Sequence, residues 1–565
     1  MSISQVVNFN ESANVSIRRS KFKIPSRHLT SFNAGDLVPI YLQEVLPGDT
    51  FKMDSSMLVR STTPLHPTMD NAYLDIFFFF VPSRLVWDNW ARFNGESDKA
   101  WVQDTTYTIP QLVMEVGDAV EPGSVLDYFG VCPKNGQEVS YEFKVNALPF
   151  RSYQKIWNDW FRDENLQDAI DINTGDTDDL SYDFNGFNFL NPDGNLRVCK
   201  YHDYFTSALP KPQKGADVLI PASGAAPIYT MPLNNTVYGS SVQPHFTNFK
   251  TFGEKFDPLT HPDSATGGGT ALNGEISTTT NPKPGTTIIG SATYTGMYDP
   301  GSSLYANLNA IDITVNNLRL AVQTQKLLEK DARGGTRYTE ILRSHFGIVS
   351  PDARLQRSEY LGGKHIPINM AEIAQTSASA GDNYLGNLAG YSSTASGGHD
   401  FTKSFVEHGY LIGLACVRTE RTYSQGVEKL FFKKNRLDFY WPVLANIGEQ
   451  PIYKRELYAG FNASYDTSVF GYQEAWAEYR YAKNRLSGQF RSGINGSLAS
   501  WTYADYYESV PTLSDGWIKQ GKNEVNRTLT LTSDVAPQYF GDFAFNLEAY
   551  RPLPIYSIPG YMDHF

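Results

Sequence analysis

Two neighbouring carboxylates, Asp178 and Asp179, are the residues of this chain whose placement first suggests chemistry. Glycosidases use a pair of carboxyl groups as acid and as base or nucleophile. The same two residues close the segment 171–179, which carries oxygen ligands typical of a calcium loop. Its glycine and fifth ligand are interchanged, however, and Tyr182 stands where the bidentate glutamate belongs. We therefore expect a solvated loop, and we keep a carbohydrate-binding or glycoside-hydrolysing protein as an alternative function.

Motifs of other enzyme classes are missing from the sequence. It contains no His-Glu-x-x-His, no Gly-x-Ser-x-Gly and no Gly-x-Gly-x-x-Gly. The ten histidines are dispersed, and none lies two or four residues from another, which argues against a local metal clamp. Cys132, Cys199 and Cys416 lie far apart, so we expect buried thiols. The sequence predicts no catalytic residue, no cofactor and no metal.

The first thirty residues predict a basic N-terminal arm, because they contain five cationic residues and a single acidic residue, Glu11. The cations are Arg18, Arg19, Lys21, Lys23 and Arg27. Cationic side chains with aromatic neighbours bind single-stranded nucleic acid, and Phe22 lies among them. The whole chain carries a net charge of -12. We therefore expect any nucleic-acid contact to be local, through this arm, with a solvated arm or an arm that embraces a neighbouring subunit as the alternatives.

No apolar run approaches the ~20 residues that cross a bilayer. The longest purely apolar run is Ile76–Val81. We therefore expect no membrane insertion. The N-terminal residues show neither a charged leader nor an apolar segment, so we expect the protein to be made and kept in the cytosol.

Several stretches alternate apolar and polar residues with the period of two that is typical of half-buried antiparallel strands. The clearest lie within Phe51–Val59, Tyr410–Cys416 and Phe543–Ala549. The run Ile76–Val81 does not alternate, so we expect a strand covered on both faces. These patterns predict a mainly β protein built around a sandwich.

Helical spacing is confined to a few stretches. It predicts helices over Tyr153–Phe161, over Leu318–Leu328 with an end at Gly334, and over Tyr472–Leu486. A stripe of Trp and Tyr at this spacing is more often core or subunit contact than a cofactor site. We expect these helices on loops inserted between strands.

Residues 216–305 differ from the rest of the chain in composition. They carry few charges, runs of Gly, Thr and Pro, and scattered aromatic residues. We predict that this block is an inserted surface subdomain, and that 31–215 and 306–565 form the core.

Six segments resemble, in order, the major capsid protein of the Microviridae, small icosahedral bacteriophages with single-stranded DNA, and in particular its gokushovirus branch. The segments are Phe32–Phe51, Met69–Trp87, Ser350–Gly363, Cys416–Gly426, Phe470–Tyr481 and Met562–Phe565. The resemblance extends over essentially the whole chain except the inserted block 216–305.

The resemblance implies an eight-stranded antiparallel jelly roll whose long loops carry a few helices. It implies a T=1 shell of about sixty copies, with residues 216–305 projecting at the threefold axes toward a host cell-surface receptor. The implied partners are packaged circular single-stranded DNA, a small basic DNA-binding protein, an internal scaffolding protein and a DNA pilot protein. The implied location is the virion, after assembly in the bacterial cytoplasm.

In such a shell, Trp, Tyr and Arg are the residues expected to supply contact energy between subunits. We hypothesise that eight of them lie at subunit contacts. They are Tyr153, Trp157, Trp160, Tyr472, Trp476, Tyr479, Arg480 and Arg485. A trimeric phage adhesin, which would form no closed shell, is a second alternative.

Overall fold

The computed structural model describes residues 17–97, 106–218, 228–230, 304–306, 315–349, 356–374, 376, 385–386 and 388–556. The chain divides into two compact units. The larger unit consists of Met1–Lys214 and Glu329–Phe565, and the smaller one of Gly215–Leu328.

Eight long strands of the larger unit form two four-stranded antiparallel sheets. The first sheet contains β1 (Ser20–Phe32), β3 (Thr50–Ser61), β6 (Thr394–Ser404) and β8 (Tyr539–Arg551). The second sheet contains β2 (Val38–Val45), β4 (Ala72–Pro82), β5 (Glu359–Pro367) and β7 (Gly409–Thr419). The strand orders are β1-β8-β3-β6 and β5-β4-β7-β2. This arrangement of two packed sheets is a jelly roll, so the predicted fold is confirmed.

The interior of the sandwich is filled by the alternate residues that the period of two singled out. On β3 these are Phe51, Met53, Met57 and Val59, all buried. β8 contributes its own alternate apolar residues, from Phe543 to Ala549, to the same core. The two predicted half-buried strands are therefore confirmed.

The prediction of a half-buried strand over Tyr410–Cys416 is wrong in one respect, because β7 is buried on both faces. Leu411 and Ala415 face the sandwich interior, whereas Ile412 and Cys416 face a second apolar core. β4, which contains Ile76–Val81, also contributes to both cores, as predicted. The outer face of the second sheet is thus buried at β4 and β7.

The second core lies between that outer face and the long connection from β4 to β5. This connection carries the helices Trp90–Phe93, Val125–Tyr128 and Leu148–Ile156, the π-helical turn Trp157–Phe161, and the short strands Gln111–Met114, Phe143–Asn146 and Asp179–Leu180. The predicted helix over Tyr153–Phe161 is confirmed. Its apolar stripe packs on the sheet, with Ile156 fully buried.

A second long connection joins β7 to β8 and is mostly irregular. It carries the strand pair Glu449–Tyr453 and Val469–Glu474, and the short helices Ala463–Thr467, Asp515–Ile518 and Asn523–Asn526. A further pair, Met370–Ala374 with Leu388–Ser392, lies between β5 and β6. The helix Tyr338–Phe346 precedes β5.

The predicted helix over Tyr472–Leu486 is wrong. Residues 469–474 form a strand, and only a 3-10 turn, Ala477–Tyr479, follows. The backbone of Tyr472 exchanges two hydrogen bonds with Leu209, so pairing with distant segments overrides the local period.

In the smaller unit the structure describes the antiparallel pair Ile228–Thr230 with Leu304–Ala306 and the beginning of the helix Val315–Gly334. That helix, ending at Gly334, confirms the prediction over Leu318–Leu328. Most of the inserted block 216–305 lies outside the described residues, and its role remains a prediction.

Candidate nucleic-acid and assembly surfaces

The first sheet turns one face to the solvent, and three of the predicted arm cations lie on it. In β1 the side chains of Lys21, Lys23 and Arg27 point away from the sandwich, whereas Phe22 and Ile24 on the opposite face are partly buried. The basic segment is therefore only in part an arm. Its boundary at residue 30 must be corrected, because residues 20–32 form an edge strand of the sheet. Arg18 and Arg19 precede this strand and are exposed.

Two of these cations form ion pairs with β8. Arg27 donates two hydrogen bonds of 2.6 Å to the carboxylate oxygens of Asp542, and Lys21 Nζ lies 2.9 Å from Glu548 Oε2. These hydrogen bonds lower the pKa values of Asp542 and Glu548 from their ordinary range. All four groups are solvent-accessible, so each pair adds little to stability.

The same face carries further charges on β3. The solvent face of β1, β8 and β3 carries five cations and three carboxylates. Its net charge is therefore +2, whereas the whole chain has a net charge of -12. The cations are Lys21, Lys23, Arg27, Lys52 and Arg60, and the carboxylates are Asp54, Asp542 and Glu548. In the described part of the chain, neither Lys23 nor Arg60 has an ion-pair partner. We call these eight residues with Phe540 and Tyr550 the basic sheet face.

Phe540 and Tyr550 are exposed on the basic sheet face. Phe540 lies opposite Arg60 in the register, and Tyr550 opposite Lys21, whose Nζ is 5.4 Å from the Tyr550 ring centroid. Exposed rings beside cations can stack bases and attract phosphates without reading sequence. Chemically, the face is suited to single-stranded nucleic acid.

Three of the eight hypothesised interface residues are buried in their own subunit, which corrects that hypothesis. Tyr153 is fully buried and its hydroxyl donates a 2.7 Å hydrogen bond to the Leu37 carbonyl. Trp157 is 4% exposed, and its Nε1 donates to the Arg197 carbonyl at 2.9 Å. Trp476 is equally buried. Their side chains stabilise the subunit and are not available to a neighbour.

The other hypothesised interface residues reach the surface to different degrees. Trp160 is 38% exposed and lies under the Arg357 guanidinium, 4.2 Å from the ring centroid. Tyr472 is only half-buried, within the strand Val469–Glu474. Three further members are exposed: Tyr479, Arg480 and Arg485. Arg480 and Arg485 form ion pairs with Glu474 and Glu428 of the same chain.

The sequence analysis missed an exposed apolar segment next to Tyr479. Residues 429–444 form three successive 3-10 turns, Lys429–Phe432, Arg436–Asp438 and Pro442–Leu444, whose apolar side chains largely face solvent. The sequence shows this segment as two apolar clusters, at 430–432 and 439–444, which have neither helical nor strand period. Without such a period, the apolar side chains do not form the single face of a helix or strand that packs on a core.

The paired carboxylates do not form a catalytic site. Asp179 is buried and accepts a 2.8 Å hydrogen bond from Arg151 Nε, whereas Asp178 is exposed and lies 3.2 Å from Lys144 Nζ. Each is neutralised by a different cation. Within the described ranges, no group of three His, Cys, Asp or Glu side chains could hold a metal ion. No helix of the described residues is long and apolar enough to cross a membrane.

Comparison with known proteins identifies the family. The family model described as Capsid protein (F protein) matches residues 11–561. Capsid protein VP1 of Bdellovibrio phage phiMH2K is 40% identical over 561 residues, which cover 99% of this chain and 98% of that protein.

Two further capsid proteins are similar to this chain over almost their whole length. Capsid protein VP1 of Spiroplasma virus 4 is 38% identical over 556 residues, covering 96% of this chain and 95% of that protein. Capsid protein VP1 of Chlamydia phage 1 is 36% identical over 587 residues, covering 98% and 97%. These matches confirm the resemblance, and together with the jelly roll they show that the chain belongs to the capsid protein (F protein) family of the Microviridae.

Proposed function

We propose that this chain is the major subunit of an icosahedral T=1 shell of about sixty copies that encloses circular single-stranded DNA. The family role is structural, and membership in it implies assembly in many copies. The observation that carries the genome part of the proposal is the basic sheet face, a net positive surface with exposed rings on an acidic chain.

The basic sheet face forms the inner wall of this shell. Lys23 and Arg60 are exposed and have no ion-pair partner among the described residues, so they can exchange their counterions for DNA phosphates. Arg18 and Arg19 precede the edge strand and extend the same basic surface. Exposed Phe540 and Tyr550 supply stacking surfaces for bases.

The shell cannot neutralise its genome by itself. Each copy carries a net charge of -12, so local basic faces leave most of the phosphate charge uncompensated. A small basic DNA-binding protein on the inner wall supplies the missing charge. An internal scaffolding protein and a DNA pilot protein complete the assembly in the bacterial cytoplasm.

Residues 216–305 project from the shell at its threefold axes and contact a host cell-surface receptor. The support for this role is their low charge and distinct composition. The strands Ile228–Thr230 and Leu304–Ala306, which lie near the two ends of this block, form an antiparallel pair. Such pairing is typical of an inserted loop whose two ends are close together.

Electron microscopy of cells that express this chain together with its neighbouring phage genes tests the shell. We expect closed particles with threefold projections, and particles without projections when residues 216–305 are deleted. Monomers or trimers under the same conditions would contradict the proposal and favour the adhesin or carbohydrate-binding alternatives.

Charge reversal tests the inner-wall assignment. In particles of the double variant Lys23→Glu/Arg60→Glu we expect less packaged DNA per shell, measured as the ratio of nucleic-acid to protein absorbance. Lys211→Glu/Lys214→Glu is the matched control with the same change in charge, because both lysines are exposed and lie outside the sheet. Equal DNA content in all three particles, or cleavage of the β1 segment by protease added outside intact particles, would refute the assignment.

A further inference from the structure

Six large apolar side chains of residues 430–443 are exposed together on one short stretch of the larger unit. We call them the apolar ridge: Leu430, Phe431, Leu437, Phe439, Trp441 and Val443. Phe431 and Leu437 are each 70% exposed, and Val443 is 94% exposed. Scattered exposed apolar residues are ordinary, but a contiguous group of this kind marks an interaction surface.

The apolar ridge is held in a defined shape by the subunit beneath it. Trp441 Nε1 donates a 3.0 Å hydrogen bond to the Arg436 carbonyl, which closes one turn on the next. At the end of the segment, Trp476 Nε1 donates to the Leu444 carbonyl at 2.8 Å. Lys433 Nζ donates to the Tyr479 hydroxyl at 2.9 Å and lies over its ring. The exposed side chains are thus presented on fixed backbone and pay little ordering entropy on binding.

Two charged side chains beside the apolar ridge, Lys433 and Asp438, have partners within the subunit. Lys433 Nζ lies 3.2 Å from Glu478 Oε1, and the Asp438 carboxylate accepts backbone N–H groups of Lys434 and Asn435 at 2.8 and 2.7 Å. The Arg436 guanidinium lies 4.6 Å from the Trp441 ring centroid. A partner that covers the ridge therefore leaves Lys433 and Asp438 with their partners, which favours a buried contact at these two residues.

The exposed area fits a subunit contact. Six side chains of this size at these exposures present on the order of 600 Å² of mostly apolar surface. This area equals the upper end of the range for the largest patch on a typical monomer, about 300–600 Å². It approaches the area that a standard interface buries, about 800 Å² per partner. Exposed Tyr479 and Tyr481 continue the patch. The surface is large enough to form the centre of a stable contact between subunits.

We infer that the apolar ridge is a contact between copies of this chain, and that its occupant is a second copy. The inference rests on the proposed shell, because assembly in many copies requires each subunit to cover apolar surface on its neighbours. Aromatic residues with one stacked Arg are the composition that dominates contact energy at such interfaces. The predicted contact residue Tyr479 borders the ridge, whereas the buried Trp476 supports it from within.

Single charge insertions test the inference. In cells that express all the phage genes, we expect Val443→Glu and Phe431→Glu to lower the yield of sedimenting particles at least tenfold. Val406→Glu is the matched control, because Val406 is 87% exposed on the loop between β6 and β7, and we expect its yield within twofold of the unaltered chain. The thermal unfolding midpoints of all three free subunits are expected to agree within a few degrees, since these side chains pack on little in their own subunit.

A second measurement keeps the inference testable if a variant fails to fold. Hydroxyl-radical labelling of Phe431 and Trp441 in the unaltered chain is compared between intact particles and dissociated subunits. We expect strong labelling in free subunits and protection in particles. Protection already in free subunits would show that the chain itself covers the ridge, and labelling in intact particles would place it on the outer surface; either result overturns the inference.

The outcomes separate this inference from the proposed function. If the unaltered chain forms no particles, the shell itself is refuted. If the unaltered chain and both ridge variants form particles equally well, only the role of the apolar ridge is refuted.

Discussion

The indole Nε1 of Trp476 donates a 2.8 Å hydrogen bond to the carbonyl of Leu444, and so connects a residue inside the subunit to the end of an exposed apolar segment. Trp476 is 4% exposed and its backbone has φ of 64°, a left-handed conformation that a bulky residue rarely adopts. Packing around the indole stabilises this strained backbone. Trp476 therefore supports a contact surface without being part of it.

Replacement of Trp476 is expected to destabilise the subunit before it affects assembly. Trp476→Ala removes a buried indole and its hydrogen bond, which costs about 3–5 kcal/mol of unfolding free energy, and the urea midpoint of the purified subunit falls accordingly. Tyr479→Ala, which truncates an exposed ring, is expected to change that free energy by less than about 1 kcal/mol. An unchanged urea midpoint for Trp476→Ala combined with loss of particles would assign the indole to the interface instead.

The buried pair Arg151–Asp179 is expected to hold the segment 173–179 in place. Arg151 donates to Asp179 at 2.8 Å and to the carbonyls of Gly175 and Thr177 at 3.0 Å each. Arg151→Met leaves a buried carboxylate without its cation, so we expect a loss of about 3–5 kcal/mol in unfolding free energy. The double variant Arg151→Met/Asp179→Leu is expected to recover part of this loss. If the double variant is as unstable as Arg151→Met, the charge is not the cause.

The three thiols are expected to differ in reactivity. Cys199 and Cys416 are buried, and burial raises the pKa of each to about 12, so almost no thiolate forms near neutral pH. Cys132 is only partly buried, which corrects the expectation of three buried thiols. With iodoacetamide at pH 8 we expect mass spectrometry to find alkylation at Cys132 alone in the folded subunit, and at all three after denaturation. Modification of Cys416 in the native state would contradict the two-sided burial of β7.

Acidification is expected to loosen the edge strand β1. Hydrogen bonds from Arg27 and Lys21 lower the pKa values of Asp542 and Glu548, so the folded state binds protons less readily than the unfolded state. The stability from these pairs is present above the ordinary carboxyl values of 3.8 and 4.5, and it is lost as pH falls through the lowered folded values. Hydrogen exchange corrected for intrinsic rates is expected to show falling protection of residues 20–32 in this range. In the variant Asp542→Asn we expect a smaller fall in the protection of residues 20–32. An unchanged fall would exclude the Arg27–Asp542 pair as its cause.

Periodicity in the sequence predicts a strand well where one face of the strand is exposed to solvent and the other is buried. β3 and β8 alternate because their outer face lies in solvent and their inner face in the sandwich. β1 was missed, since Pro25 and the surrounding cations obscure the alternation of Phe22 and Ile24. Lys and Pro are common on edge strands because they discourage pairing with another chain.

The sequence identifies the cations but not their partners. Arg27 and Asp542 lie 515 residues apart, and only the pairing of β1 with β8 brings them within hydrogen-bond distance. The same holds for the apolar ridge: the apolar clusters are visible in the sequence, but their exposure follows from what the rest of the fold leaves uncovered.

The mainly β character and the local basic segment follow from residue types and short periods in the sequence, whereas the jelly-roll capsid family follows from the resemblance of six segments to known proteins. Three features follow from the tertiary structure alone: β7 is buried on both faces, Tyr153, Trp157 and Trp476 are interior, and the apolar ridge is exposed. Burial depends on which distant segments cover a residue, and local sequence patterns carry no information about that covering.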